Sequence, residues 1–161
     1  MSVPEPTVVE NELPANIIFA IGNYVQLCAR IEKLLIRAIL TVEDRGGEEL
    51  RARCSELSLM STRELISAIK EISDKLPEDH RWSGFFKQLR DYLHRFVDNR
   101  HKAVHGIVTH HSQLQVSYFD KKSREFETMP ISPDDVNEML QHADHITRAL
   151  LQFCEEPVQD I

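Results

Sequence analysis

Residues 85–106 read FFKQLRDYLHRFVDNRHKAVHG, and this stretch decides the fold. Phe86, Leu89, Leu93 and the Phe96-Val97 pair recur at steps of three and four, the period of one helical face. Continued, the same ridge takes in Arg100 and Val104, and Gly106 follows as the expected left-handed residue just past the helix end. Successive helical residues turn by about 100°, so Arg100 falls roughly 20° from Leu93. A guanidinium in the middle of an apolar ridge has to reach water, a partner or a carboxylate, because an unpaired buried charge is costly.

On the N-terminal side, Pro14 suits the first turn of a helix whose apolar stripe runs through Ile17, Ile21, Tyr24, Cys28, Ile31, Leu35 and Ile39 to about Glu43. Gly46-Gly47 ends it, and a shorter helix is expected over Glu48–Glu56. Ser61-Thr62-Arg63-Glu64 has the form of a capping box, and the helix it opens carries Leu65, Ile66, Ile69 and Ile72 and stops before Pro77. Beyond Gly106 the period falls to two: Leu114, Val116 and Tyr118 alternate with polar residues, Asp120–Ser123 forms a turn, and Arg124–Met129 returns. Ser132-Pro133-Asp134-Asp135 supplies a cap, a first-turn proline and two acids for the last helix, with its stripe at Val136, Met139, Ala143, Ile146, Leu150 and Phe153. The expected fold is mostly α, an up-and-down helical bundle with a small β-hairpin inserted before the last helix. Residues 1–13, rich in Pro and Glu, read as a flexible tail, and 14–156 as a single domain.

A chain of 161 residues, 42% hydrophobic and 28% charged, suffices for one globular core. No apolar run is long enough for a membrane span, and the first residues lack the basic-then-apolar pattern of a secretory signal. Three widely spaced cysteines (28, 54 and 154) form neither a disulfide framework nor a zinc spacing, which fits a reducing cytoplasm. The net charge of −7 argues against indiscriminate coating of nucleic acid. The segment from Arg90 to His111 runs against that balance, with Arg90, Arg95, Arg100, Lys102 and five His facing only Asp91 and Asp98.

The first helix offers Arg100 a carboxylate. Glu32 lies about 40° from Cys28 on the apolar stripe, so an inter-helix Glu32–Arg100 pair is expected. His101 and His105, four apart, share a face. Zinc could be held by such a pair, with His110 and His111 completing a set, but Lys102 stands where zinc proteases carry their glutamate base. The preferred reading has no metal and no cofactor. His105 lies at the negative end of the helix dipole and is suited to moving a proton near neutral pH. Trp82 and Phe85-Phe86 read as core or subunit contacts, and Cys28 and Cys154 as small core hydrophobes.

Arg100-His101-Lys102-Ala103-Val104-His105, closed by Gly106, resembles the motif of the HEPN superfamily: Arg, a polar residue, a short spacer, then His. A long first helix with an acid in its stripe, the motif at the end of a later long helix, and a final helix are similar to the arrangement in that group. The resemblance implies a homodimer whose two motifs face one another across a cleft, and a metal-independent endoribonuclease, toxin-like or stress-responsive. In that reading His105 is the general base on the ribose 2′-hydroxyl and Arg100 stabilises charge developing on phosphorus. Asn99, His101, Lys102 and Glu32 bind or orient the substrate, and the product is a 2′,3′-cyclic phosphate. The chemistry needs placed positive charge and a proton acceptor, with no obligatory metal, since RNA supplies its own nucleophile.

Arg100 and His105 are about 140° apart on an ideal helix. Their convergence therefore calls for a loosened helix end or for a two-fold partner presenting the same patch. The alternative is a non-catalytic HEPN module for dimerisation or for binding a ligand or a regulatory or neutralising partner protein. The acidic balance and the lack of aromatic residues beside the motif favour it.

Overall fold

The computed structural model describes residues 13–110, 114–120 and 122–155, with 107–110 given by backbone alone. Except for Leu13, the expected N-terminal tail lies outside the described residues, as does His111. Among the described residues the chain forms five helices and three strands. They run α1 (Ala15–Glu43), α2 (Gly47–Ser58), α3 (Thr62–Lys75), α4 (Ser83–His105), β1 (Ile107–His110), β2 (Leu114–Asp120), β3 (Glu125–Pro130) and α5 (Pro133–Glu155). The fold is a mostly α bundle with a hairpin before the last helix, as the periodicity indicates.

The helix ends follow local chemistry. Asp44 takes the left-handed conformation that closes α1. The capping box of α3 is complete: Ser61 N–H donates to Glu64 Oε2 at 2.7 Å, and Glu64 N–H to Ser61 Oγ at 3.4 Å. A reciprocal pair opens α5, where Ser132 N–H donates to Asp135 Oδ2 at 2.7 Å and Asp135 N–H to Ser132 Oγ at 3.1 Å.

The core is one continuous cluster. Tyr24, Ile31, Leu35 and Ile39 of α1 meet Phe86, Leu89, Leu93 and Phe96 of α4, with Leu65 and Ile69 of α3 and Ile146 and Leu150 of α5. Each large side chain withdrawn fully from water contributes about 1.5–3 kcal/mol. α1 packs chiefly along α5, and α3 along α4. Trp82, Phe85, Phe86 and Phe153 interlock at the start of α4, with Phe85 stacked on Phe153 at 4.6 Å.

One expectation is extended and two are corrected. The hairpin is the larger part of a three-stranded antiparallel sheet of order β1-β2-β3, because Ile107–His110 pairs with β2 from Ile107↔Ser117 to His110↔Leu114. Gly106 is not left-handed: its φ of −80° and ψ of 150° are extended, since the chain passes straight from α4 into β1. Glycine is required there by contact, because a Cβ would lie 2.2 Å from the Lys102 carbonyl oxygen and 2.8 Å from Val116 Cγ2. Val104 is exposed, because the buried ridge of α4 ends at Phe96.

β2 and β3 pair from Gln115↔Pro130 to Asp120↔Glu125. Residues opposite one another share a face and successive residues alternate. Val116, Tyr118 and Asp120 with Glu125, Glu127 and Met129 therefore form the face turned to α4, and Gln115, Ser117 and Phe119 with Phe126, Thr128 and Pro130 the outer face. Asp120 accepts the N–H groups of Lys122 (3.1 Å) and Ser123 (3.2 Å), which closes the expected turn.

Candidate functional site

The end of α4 carries Arg100, His101 and His105 out of the core to the rim of the bundle. Arg100 Nε donates to Glu32 Oε1 on α1 at 3.0 Å, and Nη2 lies 2.9 Å from the same oxygen in an ion pair. The Thr62 hydroxyl, at the first turn of α3, donates to the same oxygen. One carboxylate thus fastens three helices. Glu32 also sits at the positive end of α3, where a negative charge is favoured, so it already occupies that anion position. This network explains why Thr62 is buried and why an acid and a base lie on apolar stripes.

Glu32, Arg100, His101 and His105 line one open cleft of about 540 Å³. α4 stays helical through His105, with Gly106 N–H bonded to Lys102 O at 2.9 Å. The expected loosening is absent. The two residues share the cleft within one chain because the long Arg100 side chain reaches α1 while the cleft spreads back over the helix end. Nη1 of Arg100 is the guanidinium nitrogen not committed to Glu32.

The two imidazoles differ in what holds them. His101 Nε2–H donates to the Phe119 carbonyl of β2 at 2.9 Å, and its ring lies edge-on to Tyr118 at 6.0 Å. His101 is therefore a strut between α4 and the sheet. His105 lies 5.4 Å from His101, centroid to centroid, and is exposed. Among the described residues no side-chain hydrogen bond fixes its ring, which leaves a ring nitrogen free to take a proton. Of the two histidines, His105 is the one with the freedom a general base requires.

Asn99 and Lys102 do not line the cleft. Asn99 Nδ2 is buried and has no hydrogen-bond partner among the described residues. Lys102 turns the other way, its Nζ 5.5 Å over the Tyr118 ring, and borders a small apolar space with Tyr24 and Val116. The reason is angular: α4 presents only one side to the cleft, and positions 99 and 102 lie off it. Residues the sequence did not single out line the cleft instead: Arg63 from α3, and Asp120 and Lys122 from the hairpin turn. Arg90 and Arg95, counted in the basic segment, are spent on ion pairs with Asp74 and Glu138 at 3.4 and 3.0 Å. Among the described residues no group of three His, Cys, Asp or Glu could hold a metal ion. The four-histidine set weighed from the sequence includes His111, which lies outside them.

Buried groups beside the site are held neutral. Burial pushes the Cys28 thiol up to about 11 and raises the Tyr24 hydroxyl well above its ordinary value. Among the described residues no helix is long and apolar enough to cross a membrane. Comparison with family models, curated proteins and solved structures returned no match.

Proposed function

We propose that the chain is a metal-independent endoribonuclease of the HEPN type, acting in the cytoplasm as a homodimer. The observation that supports it most is the meeting of a braced Arg100 and an unbraced His105 in one open cleft. His105 would accept the proton of a ribose 2′-hydroxyl, and the oxygen would attack the adjacent phosphorus and expel the 5′-oxygen of the next nucleotide. That chemistry leaves a 2′,3′-cyclic phosphate. Arg100, oriented by Glu32, would meet the charge developing on the non-bridging oxygens through Nη1. A second subunit would add another Arg and His across the cleft. The toxin-like or stress-response role and a neutralising partner protein belong to this reading.

The second reading is a non-catalytic HEPN module that binds a ligand or partner protein. It is favoured by the satisfied Thr62–Glu32–Arg100 network, which has architectural use without any substrate.

One assay separates them. Purified protein is incubated with structured and unstructured RNA, with and without chelator, beside Arg100→Ala and His105→Ala. Cleavage that survives chelator and disappears in both variants supports the nuclease. No cleavage of any RNA by folded wild-type protein supports the binding module. Light scattering reports the dimer, and a strictly monomeric active enzyme contradicts that part.

A further inference from the structure

The outer face of the sheet has a chemistry unlike the rest of this acidic molecule. Phe119 and Phe126 stand directly opposite one another with ring centroids 5.4 Å apart. They are 41% and 80% exposed. The next pair on the same face is Ser117 and Thr128, whose hydroxyls meet at 2.7 Å. Asp120, Glu125 and Glu127 all belong to the opposite face, where Glu127 accepts from the Tyr118 hydroxyl at 3.2 Å. The outer face is thus uncharged, aromatic and hydroxyl-bearing on a chain of net charge −7. In the hairpin turn between the two faces stand Lys122 and Arg124, and among the described residues neither makes an ion pair. The face is also tied to the cleft: Phe119 supplies the carbonyl that holds His101, and Lys122, three residues after Phe119, lines the cleft.

Two exposed aromatic rings on a rigid antiparallel ladder have no use in the core and mark a binding surface. Bases of an unpaired strand stack on such rings, while its phosphates seek the cations beside them. Among the described residues, the lack of acids on this face and the two cations of the adjoining turn that make no ion pair give the charge complementarity that a polyanion requires. We infer that the Phe119–Phe126 face is a stacking platform for the bases of single-stranded RNA, whose backbone continues past Lys122 into the Arg100–His105 cleft. This rests on the ribonuclease reading and names its substrate class: unpaired strands, because paired bases present no free faces. Phe126 is the main stacking residue and Phe119 supports it edge-on.

The test measures binding apart from cleavage. A labelled single-stranded 2′-O-methyl RNA of about 12 nucleotides, long enough for a typical single-strand site, lacks the nucleophile. It is titrated by fluorescence anisotropy against wild type, Phe126→Ala, Phe126→Trp and Phe119→Ala. Stacking on one ring is worth about 1–3 kcal/mol per base, so Phe126→Ala should raise Kd roughly 5–150-fold. Phe126→Trp should bind as wild type or tighter, and a duplex of the same sequence should bind more weakly than the single strand. Phe126 is largely in solvent, so its replacement should leave the melting temperature unchanged.

Wild type that cleaves or binds RNA while both alanine variants bind equally well overturns the platform and leaves the nuclease reading standing. Wild type that neither binds nor cleaves overturns both. Phe126→Ala that turns a dimer into a monomer, with binding per subunit unchanged, assigns the face to a second copy of the chain and overturns the platform.

Discussion

Arg100 and Glu32, from helices that begin far apart in the chain, are joined at a single carboxylate oxygen by a hydrogen bond from Nε at 3.0 Å and an ion-pair contact from Nη2 at 2.9 Å. The side chains are 26% and 28% exposed, so the pair is neither a solvated surface contact nor a fully buried one. That intermediate setting makes both its stability and its functional contribution measurable.

A double-mutant cycle with Glu32→Ala and Arg100→Ala should return a coupling energy of about 1 kcal/mol in urea denaturation. Additive losses would mean that the pair contributes nothing. Arg100→Lys should not restore RNA cleavage, because an ammonium cannot bond Glu32 and still offer a second nitrogen to a phosphate. His105→Ala should lower cleavage by roughly 10²–10⁴-fold, the usual worth of a general base, while leaving the melting temperature near that of wild type.

Gly106→Ala should destabilise by about 1–3 kcal/mol, the range for overpacking. The added methyl meets a backbone oxygen at 2.2 Å that cannot move without breaking the last turn of α4. At roughly 2–4 °C per kcal/mol for a chain of this size, a fall in Tm of about 2–12 °C is expected. An unchanged Tm would contradict the close passage from α4 into β1 at Gly106.

Acid should weaken the fold through the turn and helix caps. Ser61 holds the Glu64 carboxyl below its ordinary value, the Lys122 and Ser123 N–H groups do so for Asp120, and Ser132 N–H does so for Asp135. A carboxyl whose folded value lies below its unfolded one stabilises the fold above the unfolded value, and that stabilisation is lost as pH falls through the folded value. Stability should therefore decline on acidification from about pH 5 to about pH 3. The triple variant Glu64→Gln, Asp120→Asn, Asp135→Asn should show a shallower decline in urea midpoints over the same range. An identical slope would exclude these caps as its source.

Thiol chemistry should follow burial. Cys28 is 3% exposed and its thiol is pushed up to about 11, so a disulfide reagent near neutral pH should leave it unmodified until the chain unfolds. Cys54, partly exposed on α2, should react first. Rapid modification of Cys28 in native protein would contradict the packing of α1.

Much of this architecture could be read before any coordinates, because helical periodicity and capping are local. The stripes of α1, α4 and α5, the Ser61–Glu64 box and the Asp120 turn each declare themselves within a dozen residues. The Glu32–Arg100 pair was legible for a different reason: a charge of each sign on an apolar stripe leaves few other partners. What stayed hidden depends on distant contacts. Ile107–His110 is too short for its alternation to stand out, and it becomes a strand only because β2 lies beside it. Gly106 signals a special position without saying which, and Val116 supplies the answer. Arg63 and Lys122 reach the cleft from other elements. Phe119 and Phe126, seven residues apart, become a pair only through strand register.

The close passage at Gly106, together with the His101–Phe119 bond, has a mechanical consequence. The last turn of α4 and the sheet are clamped at two points on either side of His105, leaving little slack between them. A displacement of the sheet should therefore carry the backbone of the last turn of α4 with it, while the His105 ring itself stays unbraced.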